Sequence, residues 1–358
     1  MPFKTIWERY FLREMFKVFA LFLICFYGLY VLIDYSTHSR SFHNYHFTFA
    51  NIISFYAYEF VTRMDALIPF AILIACIKTL YALNVNNELV ALMASGIKLK
   101  RLLFPFLAFG LFFTALIFFN TEVLQPRALK YHKQIEQTRA KAKQNKHRHP
   151  HIQQITLEDN TSLVFQAYDE ATQRFIDAYW IRSIDDIYRI GTLSPYHTPP
   201  LGSAVEHIQR NAEGALTVVN FATEKTFSDM QFNPVKLLDT VSSPEDYPLS
   251  ALREKLPTGG HIMSEKEAKM LTTYYYKLAL PWFCLLAIIA PAPFCTRFSR
   301  SQPIFFIYAL SIFGLVSVYL LMDAAVILGE RQVVSPALAI WLPFTCCFSY
   351  FGWRFARL

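Results

Sequence analysis

None of the eleven glycines is followed by lysine, so the chain lacks the Gly-Lys-Ser/Thr turn that cradles the phosphates of a nucleotide. Without that loop the protein is not expected to hydrolyse ATP itself. No His-Glu-x-x-His pair and no Gly-x-Ser-x-Gly elbow occurs either, which removes the commonest zinc-hydrolase and serine-hydrolase readings. Cysteine is scarce and confined: Cys25, Cys76, Cys284, Cys295, Cys346 and Cys347 lie within or beside apolar runs, and none falls in 121–273. That middle region has no disulfide to draw on and must be stabilised by its own packing. The adjacent pair Cys346 and Cys347 reads as small apolar packing rather than a redox site.

Charge is also scarce. Only 17% of residues are charged while 54% are hydrophobic, with 34 Phe and 20 Tyr, a balance that excludes disorder and points to a membrane. A hydrocarbon core takes ~20 mainly apolar residues per helix. Six windows of that kind are present, near 15–33, 61–83, 102–120, 276–294, 304–328 and 334–353. Between the two sets of three, residues 121–273 are charged and rich in turns and cannot span. The expected fold is therefore an α-helical membrane protein with six transmembrane helices and an inserted all-β domain. Its domains run 1–120, with spans one to three and a short interfacial helix, then 121–273, and 274–358 with spans four to six.

Lysine and arginine set the expected orientation. Lys4, Arg9, Arg13 and Lys17 precede the first span, Lys98, Lys100 and Arg101 follow the second, Arg297 and Arg300 follow the fourth, and Arg354 and Arg357 follow the sixth. The short loops of the other side hold Arg40 and Arg331. The positive-inside rule then puts both termini in the cytoplasm and the large domain outside it. The net charge of +7 is mostly this bias, so it gives no reason to expect nucleic acid. The first apolar run is too long for a signal h-region and is expected to persist as an anchor.

In the middle region short β-type runs alternate with turns: "IQQITLE", "SLVFQAY", "FIDAYWI", "DIYRI" and "ALTVVNF", with a loop over 196–202. They predict an antiparallel sandwich or open jelly-roll. Such a domain offers edge strands for a partner and an apolar interior for acyl chains, although a purely structural domain is equally consistent with these residues. "KHRHPHI", with His147, His149 and His151, reads as a solvated linker rather than a metal site, because Pro150 interrupts it and no carboxylate or Cys stands close.

Ionisable groups in or at the ends of spans are better leads, since an unpaired charge in hydrocarbon costs ~3 kcal/mol or more. Asp34 closes the first span, Glu59, Arg63 and Asp65 open the second, Lys78 lies near its far end, and Asp323 is inside the fifth. Arg63 and Asp65 read as an interfacial pair before a ligand site, and Asp323 as a group facing a cavity. Arg127, Lys130 and Lys133 share one helix face beyond the third span, where they could meet an anionic headgroup or simply water.

The junction "NNELVALMASGIKLKRLLFP", 86–105, shows Leu89, Leu92, Met93, Gly96 and Ile97 at the spacing of an amphipathic helix. Asn86 or Asn87 would cap it, with Glu88 at its start and Lys98 at its end. Ala94, Ser95 and Gly96 would leave a small exposed patch beside the acid, a shallow surface for another protein.

This stretch resembles the E-(L/I)-x-x-(M/L)-x-(A/H)-(S/C)-G segment of the LptF/LptG permeases, the paired membrane subunits of the lipopolysaccharide-export ABC transporter. "ERYFLREMFKVFALFLI", "KLALPWFCLLAIIAPAPF" and "SPALAIWLP" extend the likeness to both ends of the chain. "LIDY" and "VYLLMD" lean toward the LptG branch. The resemblance implies a helix at 86–99 that docks on a cytoplasmic LptB-type ATPase dimer, with Glu88, Leu89, Leu92, Met93, Ser95 and Gly96 at the contact. Glu88 would be the acid that pairs with a basic residue of the ATPase. It implies a second permease of the same kind, a periplasmic β-jellyroll joined to LptC-type and LptA-type proteins, and lipopolysaccharide held between the spans. Arg63, Arg127, Lys130 and Asp323 are candidate contacts for that lipid by position. From the missing motifs, no cofactor, no metal and no catalytic residue is expected. The alternative is a membrane-anchored scaffold whose β-domain binds periplasmic partners without transport.

Overall fold

A computed structural model of the chain describes residues 5–44, 48–129, 131, 153–157, 161–169, 172, 174–197, 199–211, 215–230, 244–256, 265–296 and 304–358, and of 40–44, 153, 156, 265 and 266 the backbone alone. The chain divides into two compact units, Met1–Arg139 with Pro244–Leu358, and Ala140–Ser243. Residues 121–139 and 244–273, expected with the β domain, fall in the first unit.

The first unit is helical: α1 (Ile6–Asn44), α2 (Phe49–Val85), α3 (Glu88–Ala94), α4 (Leu99–Phe119), α5 (Leu249–Glu254), α6 (Glu265–Ala279), α7 (Phe283–Ile289), α8 (Ala292–Cys295), α9 (Ile304–Glu330) and α10 (Pro336–Ala356). Five stretches among the described residues are long and apolar enough to cross a membrane: Ile6–Ser39, Phe49–Val85, Leu99–Leu129, Glu267–Cys295 and Ile304–Glu330. Six were expected. The sixth helix, α10, has 21 residues, the length of a crossing, but Trp341, Trp353, Tyr350, Pro336 and Pro343 keep its hydropathy below that of the others. Its Leu338, Leu342 and Trp353 are nonetheless exposed, as for a helix with lipid on one side.

Proline explains the segmented fourth span. Pro281, Pro291 and Pro293 each lack the N–H that a continuous helix needs, and between α6 and α7 the chain tightens into a 3-10 turn at Leu280–Trp282. The third span changes pitch too, passing into a π-helical turn at Asn120–Leu124. Burial is uneven across the spans. Of the most apolar stretch of each, 67% is buried in α2 and 72% in the fourth span, against 6% in α1 and 11% in α9. The core is therefore α2 with the fourth span and α4, where Ile72, Ile77, Leu80, Phe106, Phe113 and Ile288 pack together. Gly110 permits the closest approach, because a Cβ there would lie 2.6 Å from Ile288 Cδ1 and 3.4 Å from the Cys284 carbonyl.

The second unit is one six-stranded antiparallel sheet in the order β1-β2-β3-β4-β5-β6: β1 (Gln153–Thr156), β2 (Ser162–Asp169), β3 (Arg174–Ser183), β4 (Asp186–Ser194), β5 (Leu201–Arg210) and β6 (Leu216–Thr226). It is a meander, and among the described residues there is no second sheet to complete a sandwich. One face buries Leu163, Phe165, Phe175, Trp180, Ile190 and Val205, closed by Phe227 and Met230 after β6. The Trp180 indole N–H donates to the Thr161 hydroxyl at 2.8 Å, so the largest buried ring leaves no polar atom unpaired. Asp177 and Ala204 take positive φ, 49° in each, and there the inward-facing side switches parity along β3 and β5. β5 begins at Leu201, inside the stretch expected to be a loop, and the last strand, β6, is exposed along nearly its whole length.

Candidate functional site

The junction after α2 is built from backbone outward. Asn87 precedes α3 with φ 61° and makes no side-chain cap, contrary to the capping expected of it. α3 has seven residues and stops at Ala94. Its end is a Schellman motif: Gly96 N–H donates to Met93 O at 2.9 Å, Ile97 N–H donates to Leu92 O at 3.3 Å, and Gly96 has φ 92°. Ser95 Oγ adds a bond to Leu92 O at 2.7 Å. The expected helix through 99 is thus split. Gly96 is the left-handed residue that ends α3 rather than part of an apolar face, and Lys98 stands at the N-cap position of α4 instead of closing the earlier helix.

The side chains sort by direction. Leu89 is 1% exposed and belongs to the core, and Leu92, Met93 and Ile97 pack half-buried against it. Ala91, Ala94, Ser95 and Gly96 face outward and form an exposed ledge of small residues. Glu88 sits half-buried at one end of that ledge, where Tyr10 Oη from α1 donates to Oε1 at 3.5 Å and Asn86 Nδ2 donates to it at 3.4 Å. Both bonds are long, and the second carboxylate oxygen accepts no hydrogen bond among the described residues. The acid is oriented without being neutralised. Of the six residues expected to touch a partner, Glu88, Ser95 and Gly96 are presented outward, while Leu89 is the anchor that holds the ledge to the spans.

Two further polar groups lie toward the other end of α2. Arg63 does not pair with Asp65. Its Nε donates to Glu59 Oε1 at 2.7 Å, one turn back, and its guanidinium lies 4.4 Å from the centre of the Tyr30 ring, whose hydroxyl also donates to Glu59 at 2.9 Å. Tyr56 Oη donates to Asp34 Oδ2 at 3.0 Å beside them. Asp65 instead accepts from Asn120 Nδ2 at 3.5 Å and Gln125 Nε2 at 3.3 Å, both at or next to the π turn, and its backbone carbonyl accepts from Tyr319 Oη at 2.8 Å.

Asp323 is on the exposed side of α9, where Tyr276 Oη donates to Oδ1 at 3.2 Å. It does not face the interior of this chain. Arg127 is exposed and makes no ion pair among the described residues. Lys130, Lys133 and the histidines of 147–151 lie outside the described residues, and among those described no group of His, Cys, Asp and Glu could hold a metal ion. Sequence reasoning missed Tyr10, Asn120 and Gln125. Their contacts with Glu88 and Asp65 join residues 55 to 78 positions apart, and no local spacing announces them.

A helical membrane unit interrupted by an antiparallel β unit, with an exposed small-residue ledge between its second and third spans, defines a multi-pass membrane protein. The model of the family described as "Lipopolysaccharide export system permease LptF/LptG" matches residues 9–357, nearly the whole chain. The chain belongs to that family, inner-membrane permeases that work in lipopolysaccharide export with other Lpt proteins. The description covers both paralogues and does not divide them. No curated protein matches the chain as a relative.

Proposed function

We propose that this chain is a permease subunit of an ABC transporter that extracts lipopolysaccharide or lipooligosaccharide from the inner membrane and passes it to a periplasmic bridge. The energy comes from a separate ATPase dimer. The observation that carries this reading is the ledge at 88–96: a short helix fixed to the membrane core through Leu89, ending in an exposed Ala-Ser-Gly surface beside an acid that keeps charge to offer. A chain without a phosphate-binding loop needs a place to receive work done elsewhere, and a rigidly mounted surface transmits displacement where a flexible loop would absorb it.

Two other features support the reading. The outward faces of α1 and α9, with Ile24, Leu32, Phe313 and Leu320 between 64% and 71% exposed, are broad enough for a second permease and for lipid between the two. The exposed edge strand β6, with Val219 and Phe221 each 61% exposed, suits strand addition by a periplasmic partner of the LptC or LptA type. In this arrangement both termini and the ledge are cytoplasmic and the β unit is periplasmic. Arg63, Arg127, Lys130 and Asp323 are the proposed lipid contacts, with Arg63 restrained by Glu59 and so the weakest of them.

Co-purification tests the reading. Expressed with its neighbours and extracted in mild detergent, the wild-type chain should retain an ATPase and a second permease. Glu88→Ala should lose most of the ATPase, or most lipid release, with unchanged membrane insertion. Normal ATPase retention and normal lipid release in that variant would overturn the docking role of the ledge. Retention of β-domain partners alone would favour a scaffold.

A further inference from the structure

A cleft of about 390 Å³ opens on the membrane unit between α2, the fourth span, α9 and α10, and neither Asp65 nor Glu59 lines it. Its walls include Leu73, Ala287, Leu310, Gly314 and Val318, and its polar side-chain groups are the hydroxyls of Ser311 and Tyr350 and the guanidinium of Arg354. The volume is that of a small-ligand site, ~300–1,000 Å³. Its depth is more telling. From Leu310 to Val318 is eight residues of helical rise, roughly 12 Å, which is close to half of a ~30 Å hydrocarbon core. The cleft is one leaflet deep.

Its charge lies at one end. Arg354 stacks over the Phe294 ring at 4.2 Å, a contact that fixes the guanidinium plane and leaves its edge N–H groups available. No carboxylate pairs with it among the described residues. Further cations stand at the same end: Lys100 Nζ donates to Ala356 O at 2.7 Å, and Arg357 lies over the Trp353 ring at 3.7 Å. An apolar slot of single-leaflet depth, topped by an arginine without an acid, is complementary to a molecule with one long hydrocarbon chain and an anionic head.

We propose that this cleft binds an anionic glycerophospholipid, with one acyl chain between α9 and the fourth span and the phosphate on Arg354. Basic pockets between helices at this level of a membrane recognise such headgroups, and a guanidinium fork engages phosphate oxygens in pairs. The bound chain fills the gap left by Gly314, where an added Cβ would meet nothing within 4 Å. The lipid completes the packing of α9, which is otherwise mostly uncovered by this chain. This site is independent of the transported substrate and of the ledge at 88–96.

The test uses the full-length protein in phosphatidylcholine nanodiscs carrying a trace of phosphatidylglycerol with a photoreactive acyl chain. Labelling should concentrate on the peptides holding 310–318 and 350–354, and unlabelled phosphatidylglycerol should compete at least about tenfold better than phosphatidylcholine, the scale of losing one charged hydrogen-bonding pair. Gly314→Phe fills the slot and should abolish labelling there, while Arg354→Gln, at the helix end, should keep labelling and erase the headgroup preference. Labelling spread evenly around the apolar belt, equal competition by phosphatidylcholine, or no change in either variant would overturn the proposal. Stronger competition by lipopolysaccharide, or crosslinking to a protein helix in place of lipid, would overturn it by naming a different occupant.

Discussion

Leu89→Ala separates the mounting of the ledge from its chemistry. A seven-residue helix is well below the ~12–15 residues at which an isolated helix becomes marginal in water. α3 must therefore be held by its anchor and its cap. Leu89 is 1% exposed within the core formed with Ile77, Leu80 and Leu103, so truncation removes buried methyl groups and leaves a cavity. Such changes cost about 2–5 kcal/mol. The segment is short and terminal to α2, so the cost falls on local opening rather than on the whole membrane unit. At the lower bound of ~2 kcal/mol, opening becomes about thirty times more frequent. Hydrogen exchange reads this directly at the amides of Ala91, Ser95, Gly96 and Ile97, which donate to Asn87, Ala91, Met93 and Leu92. Their exchange should accelerate by that factor or more, while the amides in the middle of α2 keep their wild-type rates. Glu88→Ala should behave oppositely. Among the described residues its carboxylate accepts only two long bonds, at 3.4 and 3.5 Å, so exchange should change little while ATPase retention falls. Unchanged exchange at 91–97 in Leu89→Ala would refute the anchoring argument, because the ledge would then be held by something other than that side chain.

Two further substitutions test the backbone cap and the buried acid. Gly96→Ala meets no steric obstacle but places a Cβ at φ 92°, so it should cost about 1–2 kcal/mol of cap stability and loosen the Ile97 amide without altering the Leu89 contact; wild-type exchange at Ile97 would show the left-handed turn to be dispensable. Asn120→Leu preserves volume but removes the donor shared by Val61 O and Asp65, and should destabilise the membrane unit by about 1–3 kcal/mol, seen as a lower thermal midpoint in detergent; an unchanged midpoint would mean that Asp65 is satisfied by other donors.

The apolar runs were legible because their composition is set by the solvent they meet, and all five qualifying spans lie over expected windows. Details that depend on a partner elsewhere in the chain were not. Sequence proximity predicts an Arg63–Asp65 pair, yet residues two apart on a helix point in different directions, and Glu59 at i−4 is the neighbour the geometry favours. β5 is not legible as a strand because Glu206 and His207 make "LGSAVEHIQR" look polar. In the sheet those side chains are paired across strands, Glu206 with Arg189 at 3.3 Å and His207 with Asp186 at 2.6 Å. The helical period of the ledge continues through Ile97 and predicts a helix at least that far. The Schellman turn at Gly96 ended the helix, and it was the glycine, read as part of a surface, that carried that information.

The abundance of tyrosine acquires a physical reason from the same contacts. Four carboxylates in or beside the spans, Asp34, Glu59, Glu88 and Asp323, each accept a bond from a tyrosine hydroxyl, of Tyr56, Tyr30, Tyr10 and Tyr276 in turn. Among the described residues only Glu59 also meets an arginine, and Asp34 lies 3.2 Å from His38 Nδ1. Neutralising each acid with a lysine or arginine would require desolvating a second ion, a cost that often exceeds the attraction recovered. A phenol supplies a charge-assisted donor on a ring that is itself at home near hydrocarbon. It satisfies one lone pair and leaves the charge in place. For Glu88 and Asp323, which are both reachable from outside the chain, the consequence is that a cation on another molecule can still be recognised. A tyrosine-held acid is therefore a fixed and unspent charge, and these two positions are where partner or lipid recognition on this membrane unit is best sought.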